Sequence, residues 1–452
     1  MPAFPAGSVV AVLGLGVSGE AAARLAAANG GIVYASDVSA GPVPTAAAER
    51  LASEGIDAEA GGHDMQRVLS ADLVVVSPGI GPTSEVRRRV REAGIRTIAE
   101  VELGWRDLES RVIAITGTNG KTTTTGLAAH VLEAGGLKAI AAGNIGLALS
   151  EIAVQSPQPD WVALELSSFQ LADQETIAPD VGVLLNLSPD HLDRYRDVES
   201  YYADKRRLFD SASDASKWVL NADDPACADL AAGVAGDRFH FSLRGPVERG
   251  AWAGPDGVLR CRLDAEVEWM PTSDLRLLGP HNVANALAAG LACAVAGVAP
   301  EAIAAGLRSF EALPHRLQPI GERDGVLWVN DSKATNVAAT VGALRSLEGP
   351  LVLLLGGTDK GEDLRSLKGA IHPGVRGVVL YGEARHRFAS ELTEDPRVTI
   401  THGSFEDAVA SACGLAETGD MILLSPACSS FDMFENYEAR GQRFASLARG
   451  EG

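Results

Sequence analysis

One short stretch restricts this chain more than any other. A buried-type apolar run, Val112–Ile115, passes directly into Gly117-Thr118-Asn119-Gly120-Lys121-Thr122 and then into a Thr- and Ala-rich helical segment. A Gly-rich turn between such a strand and a helix points backbone N–H groups inward, where they cradle phosphate oxygens. Lys121 is placed to neutralise the outer phosphates, and Thr122 can offer its hydroxyl to magnesium. The spacing departs from the common G-x-x-x-x-G-K-[ST] form, because Ile115 stands where the first Gly would be. The plainer reading is a strand-to-helix turn with a surface lysine. Gly, Lys and Thr falling together at a strand end favour the phosphate reading.

The rest of the chain has to accommodate that unit. Short apolar runs alternate with helical, Ala-rich segments, and the pattern restarts twice, which predicts α/β folding with largely parallel sheets. At 452 residues the chain exceeds what one core supports. Three domains are expected: a Rossmann-like one over 1–103, a central P-loop ATPase-type one over 104–312, and a C-terminal α/β Rossmann-like one over 313–452. Predicted strands lie near Val9–Leu13, Ile32–Ala35 and Leu73–Val76 in the first block, which closes around Thr97–Leu103. The second has Val112–Ile115, Trp161–Leu166, Val181–Leu185 and Trp218–Leu220. The third has Leu327–Val329, Leu351–Leu355, Gly377–Tyr381, Val398–Thr401 and Met421–Leu424.

Charge and composition exclude several function classes. A net charge of -20 repels polyanions, so nucleic acid is not an expected partner. The five cysteines form no C-x-x-C pair and are odd in number, as expected of buried thiols in a reducing cytoplasm. No basic region precedes the first apolar run, and no apolar stretch is long enough to span a bilayer, so neither export nor a membrane is expected.

Further polar clusters follow apolar runs. Gly14-Leu15-Gly16-Val17-Ser18-Gly19 opens a helix after the first strand, and Asp37 ends the second. That is the dinucleotide-fold fingerprint, and equally a turn needed for close strand–helix packing. Glu165 ends a strand before Ser167-Ser168-Phe169-Gln170, a place suited to a magnesium ligand or to a helix-capping acid. The segment Asn186–Arg194, with His191, follows another buried strand, and Lys205 lies in a helical stretch where alone it reads as solvated. In the third block, Asn330–Asn336, Gly356–Gly361 and Ser425–Asp432 are three polar loops at strand ends, the arrangement of a binding face or of ordinary turns.

Taken in order, GLGVSG, TGTNGKTTTT, GNIG, ELSSFQL, SPDHLDRY, Lys205, GPHNVANA, LPHR, NDSKATN, LLLGG and SPACSSFD resemble the Mur ligase family, which builds the peptide of bacterial cell-wall precursors. The resemblance spans nearly the whole chain, and the short phosphate loop is itself the family's variant. It implies ATP-driven amide formation through an acyl phosphate, with UDP-N-acetylmuramoyl-L-alanine, D-glutamate and ATP as partners of a cytoplasmic monomer. It implies that Gly117, Thr118, Asn119, Gly120, Lys121, Thr122 and Thr123 hold the triphosphate, and that Asn282, Asn285, Arg316, Asp331 and Lys333 serve the nucleotide. Magnesium is implied at two sites, one on Thr122 and Glu165, the other on His191 and a carbamylated Lys205. Lys121, Glu165, His191 and Lys205 are the implied catalytic group. Gly16, Val17, Ser18, Asp37, Ser77, Gly79, Asn144 and Ser167 match precursor contacts. Thr335, Lys360, Ser430, Phe431 and Tyr437 match the glutamate site. Two positions depart from the pattern. Val38-Ser39 stands where relatives often have a hydroxyl residue and Arg, and Tyr437 where they often have Phe. A folate polyglutamate-type ligase lacks the first block. A nicotinamide oxidoreductase would leave Lys121, Glu165 and Lys333 unexplained. An ATP-gated binding protein would release phosphate without regard to an amino acid.

Overall fold

Each of the three apolar blocks builds a sheet of its own. The computed structural model describes residues 3–190, 194–347, 349–392, 396–400 and 403–451. The first sheet contains β1 (Val9–Leu13), β2 (Ile32–Asp37), β3 (Asp57–Ala60), β4 (Leu73–Val76) and β5 (Thr97–Ala99), all parallel in the order β3-β2-β1-β4-β5. Successive side chains of a strand point to opposite faces. Val10 and Val12 of β1 therefore pack with Ala22, Leu25 and Leu51, while Ala11 and Leu13 pack with Val68, Val86 and Val90. Two covered faces explain why the strand reads as a continuous apolar run. The edge strand β3, Asp-Ala-Glu-Ala, carries no such signal and was not predicted.

The second sheet has nine strands. They are β6 (Arg111–Thr116), β7 (Ala139–Gly143), β8 (Trp161–Glu165), β9 (Val181–Leu184), β10 (Lys217–Asn221), β11 (Asp237–Ser242), β12 (Gly250–Ala253), β13 (Val258–Arg262) and β14 (Glu266–Pro271). Their order is β14-β13-β12-β11-β10-β9-β6-β8-β7. β6 sits between β8 and β9, so the loop that leaves it emerges at the middle of the sheet. The last three strands pair antiparallel, with β13 alternating between buried and half-buried residues. The third sheet has β15 (Gln318–Arg323), β16 (Val326–Asn330), β17 (Leu351–Gly356), β18 (Val375–Tyr381), β19 (Val398–Ile400) and β20 (Met421–Leu424), ordered β15-β16-β20-β17-β18-β19. Only β15 pairs antiparallel, and β17 is buried throughout, with alternate residues on two cores.

By contacts the chain forms two compact units. One comprises Met1–Asp274 with Ala284–Ser309 and contains the first two sheets. The other comprises Leu275–Val283 with Phe310–Gly452 and contains the third. Among the described residues no helix is long and apolar enough to cross a membrane. The five cysteines are free thiols, and all but Cys413 are buried.

Candidate active site

The turn after β6 is held from outside as well as by its own backbone. Thr118 N–H donates to the Asn186 carbonyl at 2.9 Å, and the Thr118 hydroxyl donates to the Ser188 carbonyl at 3.1 Å. The Asn186 side chain clamps Asn119 in both directions, accepting from its N–H at 2.8 Å and donating to its carbonyl at 3.0 Å. Gly120 has φ +82°, and a Cβ there would lie 2.2 Å from Asn285 Oδ1, so only glycine fits between loop and helix. The helix Lys121–Ala134 then starts with no side-chain cap, which leaves its first N–H groups to the turn. Lys121 Nζ donates to the carbonyls of Gly117 and Thr118, at 2.9 and 2.7 Å, while Thr122 and Thr123 are half-buried beside it.

Two more predicted residues meet this turn. Glu165, the last residue of β8, pairs in register with Ile115 and is 1% exposed. Asn144 donates to its Oε1 at 2.8 Å, and its Oε2 is buried without a partner. A buried, unpartnered carboxylate oxygen beside a phosphate turn suits a hard cation such as magnesium. Lys205 comes from the helix Val198–Arg206, is buried, and donates to the Gly117 carbonyl at 2.7 Å. Burial, and next the nearby Lys121 ammonium, hold its amine well below the usual lysine range. His191 lies outside the described residues. Among the described residues no group of three or more His, Cys, Asp or Glu side chains forms a metal cluster. Ser167 caps the helix Ser168–Ala172 in a reciprocal capping box with Gln170, so its hydroxyl has a structural task.

At the first sheet, the last glycine of the fingerprint is required by packing. A Cβ on Gly19 would lie 1.7 Å from the Gly14 carbonyl oxygen. The helix Val17–Ala28 begins at Gly16 with no side-chain cap. One Asp37 oxygen accepts from Leu15 N–H and the other from Ser39 N–H, both at 2.8 Å, and each keeps further acceptor capacity. Asp37 ties the glycine turn to the following loop. Ser77 donates its hydroxyl to the Gly14 carbonyl at 3.3 Å, Ser18 is half-buried and Gly79 is exposed. Val17 and Val38, beside the glycine turn and Asp37, are exposed apolar side chains, at 63% and 72%.

The second unit gathers its own set at the ends of β16, β17 and β20. Asp331 is buried; it accepts from Leu317 N–H at 3.1 Å and from the Ser425 hydroxyl at 2.7 Å. Burial pushes its carboxyl up to about 7. Lys360 Nζ donates to the Thr335 carbonyl at 2.7 Å, joining two of the predicted loops. Lys333 Nζ lies 5.3 Å from the Tyr437 ring centroid. Ser430 is 2% exposed and the adjacent Phe431 is 72% exposed. Arg316 is half-buried in the turn preceding β15, and Asn282 donates to the Leu278 carbonyl at 2.8 Å. Asn285, by contrast, belongs with the first unit, against Gly120.

Sequence reasoning passed over Asn186, Tyr201 and Arg440. Tyr201 OH reaches the Thr118 hydroxyl at 3.2 Å. Asn186 stood inside a cluster already noted, directly after a buried strand, and that position was the available signal. Nothing local marked Tyr201, and Arg440 lay within SPACSSFDMFENYEARG, a stretch of the family resemblance, without a role of its own.

Comparison with known proteins follows the same three blocks. Residues 8–99 match the Mur ligase MurD-like N-terminal domain, 115–293 the Mur ligase middle domain, and 315–428 the Mur ligase glutamate ligase domain. A UDP-N-acetylmuramoylalanine–D-glutamate ligase of Acidobacterium capsulatum is 41% identical, over 98% of this chain and 96% of that protein. One of Salinibacter ruber is 42% identical, over 96% of each. Among solved structures, the UDP-N-acetylmuramate-alanine ligase of Thermotoga maritima aligns with TM-score 0.59 and 17% identity, over 98% of this chain and 100% of that one. A pseudomurein peptide ligase type C of Methanothermus fervidus aligns with TM-score 0.56 and 21% identity, over 92% and 96%. The two structural likenesses speak to fold alone.

Proposed function

The chain belongs to the Mur ligase family, and from that premise we propose that it joins D-glutamate to UDP-N-acetylmuramoyl-L-alanine with consumption of ATP, in peptidoglycan precursor synthesis. The observation that carries this reading is end-to-end similarity to relatives of that name, at 41% and 42% identity. The precursor's carboxylate attacks the γ-phosphorus of ATP, giving an acyl phosphate and ADP. The amine of D-glutamate then attacks the acyl carbon, the amide forms, and phosphate leaves with the bonding electron pair. The amine's proton passes to solvent or to phosphate.

The chain's part is positioning and charge neutralisation. Among residues 117–123, the backbone N–H groups other than those of Thr118 and Asn119, which bond Asn186, cradle the β- and γ-phosphates. Lys121 leaves its contacts with the Gly117 and Thr118 carbonyls to meet charge developing on the γ-phosphate. Thr122, Glu165, His191 and Lys205 would hold magnesium at two sites, where it offsets phosphate charge; the orphaned Glu165 oxygen supports that donor set. Burial shifts the Lys205 amine toward its neutral form, the form that adds carbon dioxide, and a carbamate there would present anionic oxygen to magnesium. Asn282, Asn285, Arg316, Asp331 and Lys333 serve adenine and ribose. Gly16, Val17, Ser18, Ser77, Gly79, Asn144 and Ser167 serve the precursor. Asp37 acts by holding the glycine turn, and the exposed Val17 and Val38 offer apolar contact to a base. Thr335, Lys360, Ser430, Phe431 and Tyr437 take the amino acid. In this reading the enzyme is a cytoplasmic monomer whose domains run over 1–103, 104–312 and 313–452.

Phosphate release with UDP-N-acetylmuramoyl-L-alanine, ATP and a panel of D- and L-amino acids tests the proposal. Release dependent on D-glutamate is expected. A preference for L-glutamate, or release indifferent to any amino acid, would overturn it.

A further inference from the structure

Glu100 directly follows β5, at the C-terminal strand ends where an open parallel sheet meets its ligands. It opens the helix Glu100–Trp105 and is 1% exposed. Its Oε1 accepts from Ser150 N–H at 2.7 Å, and Ser150 Oγ donates in return to the Glu100 carbonyl at 3.3 Å. Its Oε2 is buried with no partner among the described residues. Burial pushes the carboxyl up to about 7, and the groups that pull it back down, Ser150 and the Leu149 N–H, are neutral.

A carboxylate is a costly choice for this place. The contact caps the helix Leu149–Ala153, whose own N-cap, Ala148, has no side-chain oxygen to offer. A serine or asparagine at 148 would cap the helix locally. It would desolvate no carboxylate and leave no oxygen unmet. The cap comes instead from another sheet, 50 residues earlier. Gly104 permits that approach, since a Cβ there would lie 2.6 Å from Ser150 N. Both helices sit on the seam between two interiors. Leu149, Ile152 and Val101 pack in the core of the second sheet, whereas Leu103 and Ala153 pack with the first.

The cap fixes the turn that precedes it. Gly143 N–H donates to the Leu147 carbonyl at 2.9 Å, which closes that turn on itself. Asn144, inside it, donates its N–H to the Glu165 carbonyl at 3.0 Å and its side-chain amide to Glu165 Oε1 at 2.8 Å. Direct contacts therefore run from the end of β5, through Ser150 and the turn, to the Glu165 carboxylate. Phosphoryl transfer between a substrate held at the first sheet and a triphosphate held at the second needs the two aligned, and small misplacements cost much of the rate.

We propose that Glu100 is a positioning residue for the reaction: by capping the helix Leu149–Ala153 from the first sheet, it sets Asn144, and through it Glu165, in register with the strand ends that face the precursor. This inference rests on the reading that Glu165 holds magnesium and that the first sheet takes the precursor.

Three variants test it. Glu100→Leu removes cap and charge, Glu100→Gln removes the charge and keeps an oxygen for Ser150, and Glu100→Asp keeps the charge but withdraws it by one methylene. For each, kcat, the half-saturating magnesium concentration and the D-glutamate KM are measured beside the wild type. Thermal unfolding and amide hydrogen exchange of residues 143–150 are followed in the protein without ligands or metal. Glu100→Leu is expected to lower kcat by about tenfold to a hundredfold and to raise the magnesium requirement by about tenfold, the scale on which loss of an outer partner of a metal ligand is felt. Its D-glutamate KM should stay within about twofold of wild type, and exchange at residues 143–150 should quicken by about fivefold or more. Glu100→Gln should recover most of each loss. If Glu100→Leu does not fold, Glu100→Asp decides by the same split between magnesium and D-glutamate. An unchanged kcat and magnesium requirement overturns the inference. So does a loss of the same size in Glu100→Gln, a loss shared with D-glutamate that tracks stability, or failure of both Glu100→Leu and Glu100→Asp to fold, which would make Glu100 a strut. A wild type that ignores D-glutamate or needs no magnesium would fault the functional reading instead, before any variant is made.

Discussion

Replacing Asn186 by alanine tests whether the phosphate turn is kept open by its neighbour rather than by its own sequence. The substitution removes two hydrogen bonds to Asn119, of 2.8 and 3.0 Å, and spares the Asn186 carbonyl that accepts from Thr118. Asn186 is half-buried, so water replaces part of what is lost, and each bond contributes about 0.5–1 kcal/mol. Together they bias the turn toward its binding shape by about 1–2 kcal/mol, which corresponds to about five- to thirtyfold in ATP affinity. The assay is coupled phosphate release with ATP varied and the other substrates saturating, paired with thermal unfolding. A higher KM for ATP is expected, with the D-glutamate KM within about twofold of wild type and the melting temperature lower by only a few degrees. An unchanged ATP KM would refute the clamp. So would a rise shared equally by ATP and D-glutamate, which would point to general loosening.

Lys121→Ala should lower kcat by about a hundredfold or more, since a donor aimed at developing charge contributes about 3 kcal/mol; wild-type phosphate release from a folded variant would contradict its role. Lys205→Ala should be inactive, and carbon-13-labelled bicarbonate should give a carbamate resonance in the wild type that this variant lacks. An active, metal-loaded wild type without that resonance would end the carbamate reading. Asp331 makes stability depend on pH: its carboxyl rises from 3.8 to about 7 on folding, so its contribution is full below about pH 4, lost between about pH 4 and 7, and gone above. Asp331→Asn should therefore lose about 2 kcal/mol less stability than wild type between about pH 5.5 and 8.5 in urea unfolding. Equal slopes would refute this; Glu100, also held up at about 7 by burial, is common to both proteins and cancels.

The phosphate turn was legible because everything that makes it lies within one strand–turn–helix unit, and the strands covered on both faces were legible as apolar runs. The edge strands β3 and β14, and β13 beside the edge with its alternating burial, left no comparable mark, since one open edge or face removes the demand for continuous apolar residues. Lys205 read as a solvated lysine on local grounds, and only its resemblance to the family's modified lysine singled it out. The fold buries it against the Gly117 carbonyl, 88 residues earlier, where desolvation holds its amine well below the usual lysine range. Asp37 read as an acid at a strand end, and only the structure shows that its oxygens also tie Leu15 N–H to Ser39 N–H. Arg440 lies in SPACSSFDMFENYEARG, a stretch that carries the family resemblance, but its contact with Ser332, 108 residues earlier, shows only in the fold. By itself the sequence determined the phosphate turn and the main apolar strands, because periodicity and turn chemistry act between near neighbours. Only the tertiary structure decided which side chains share an interior, and it is desolvation within that shared interior that sets their charge and their partners.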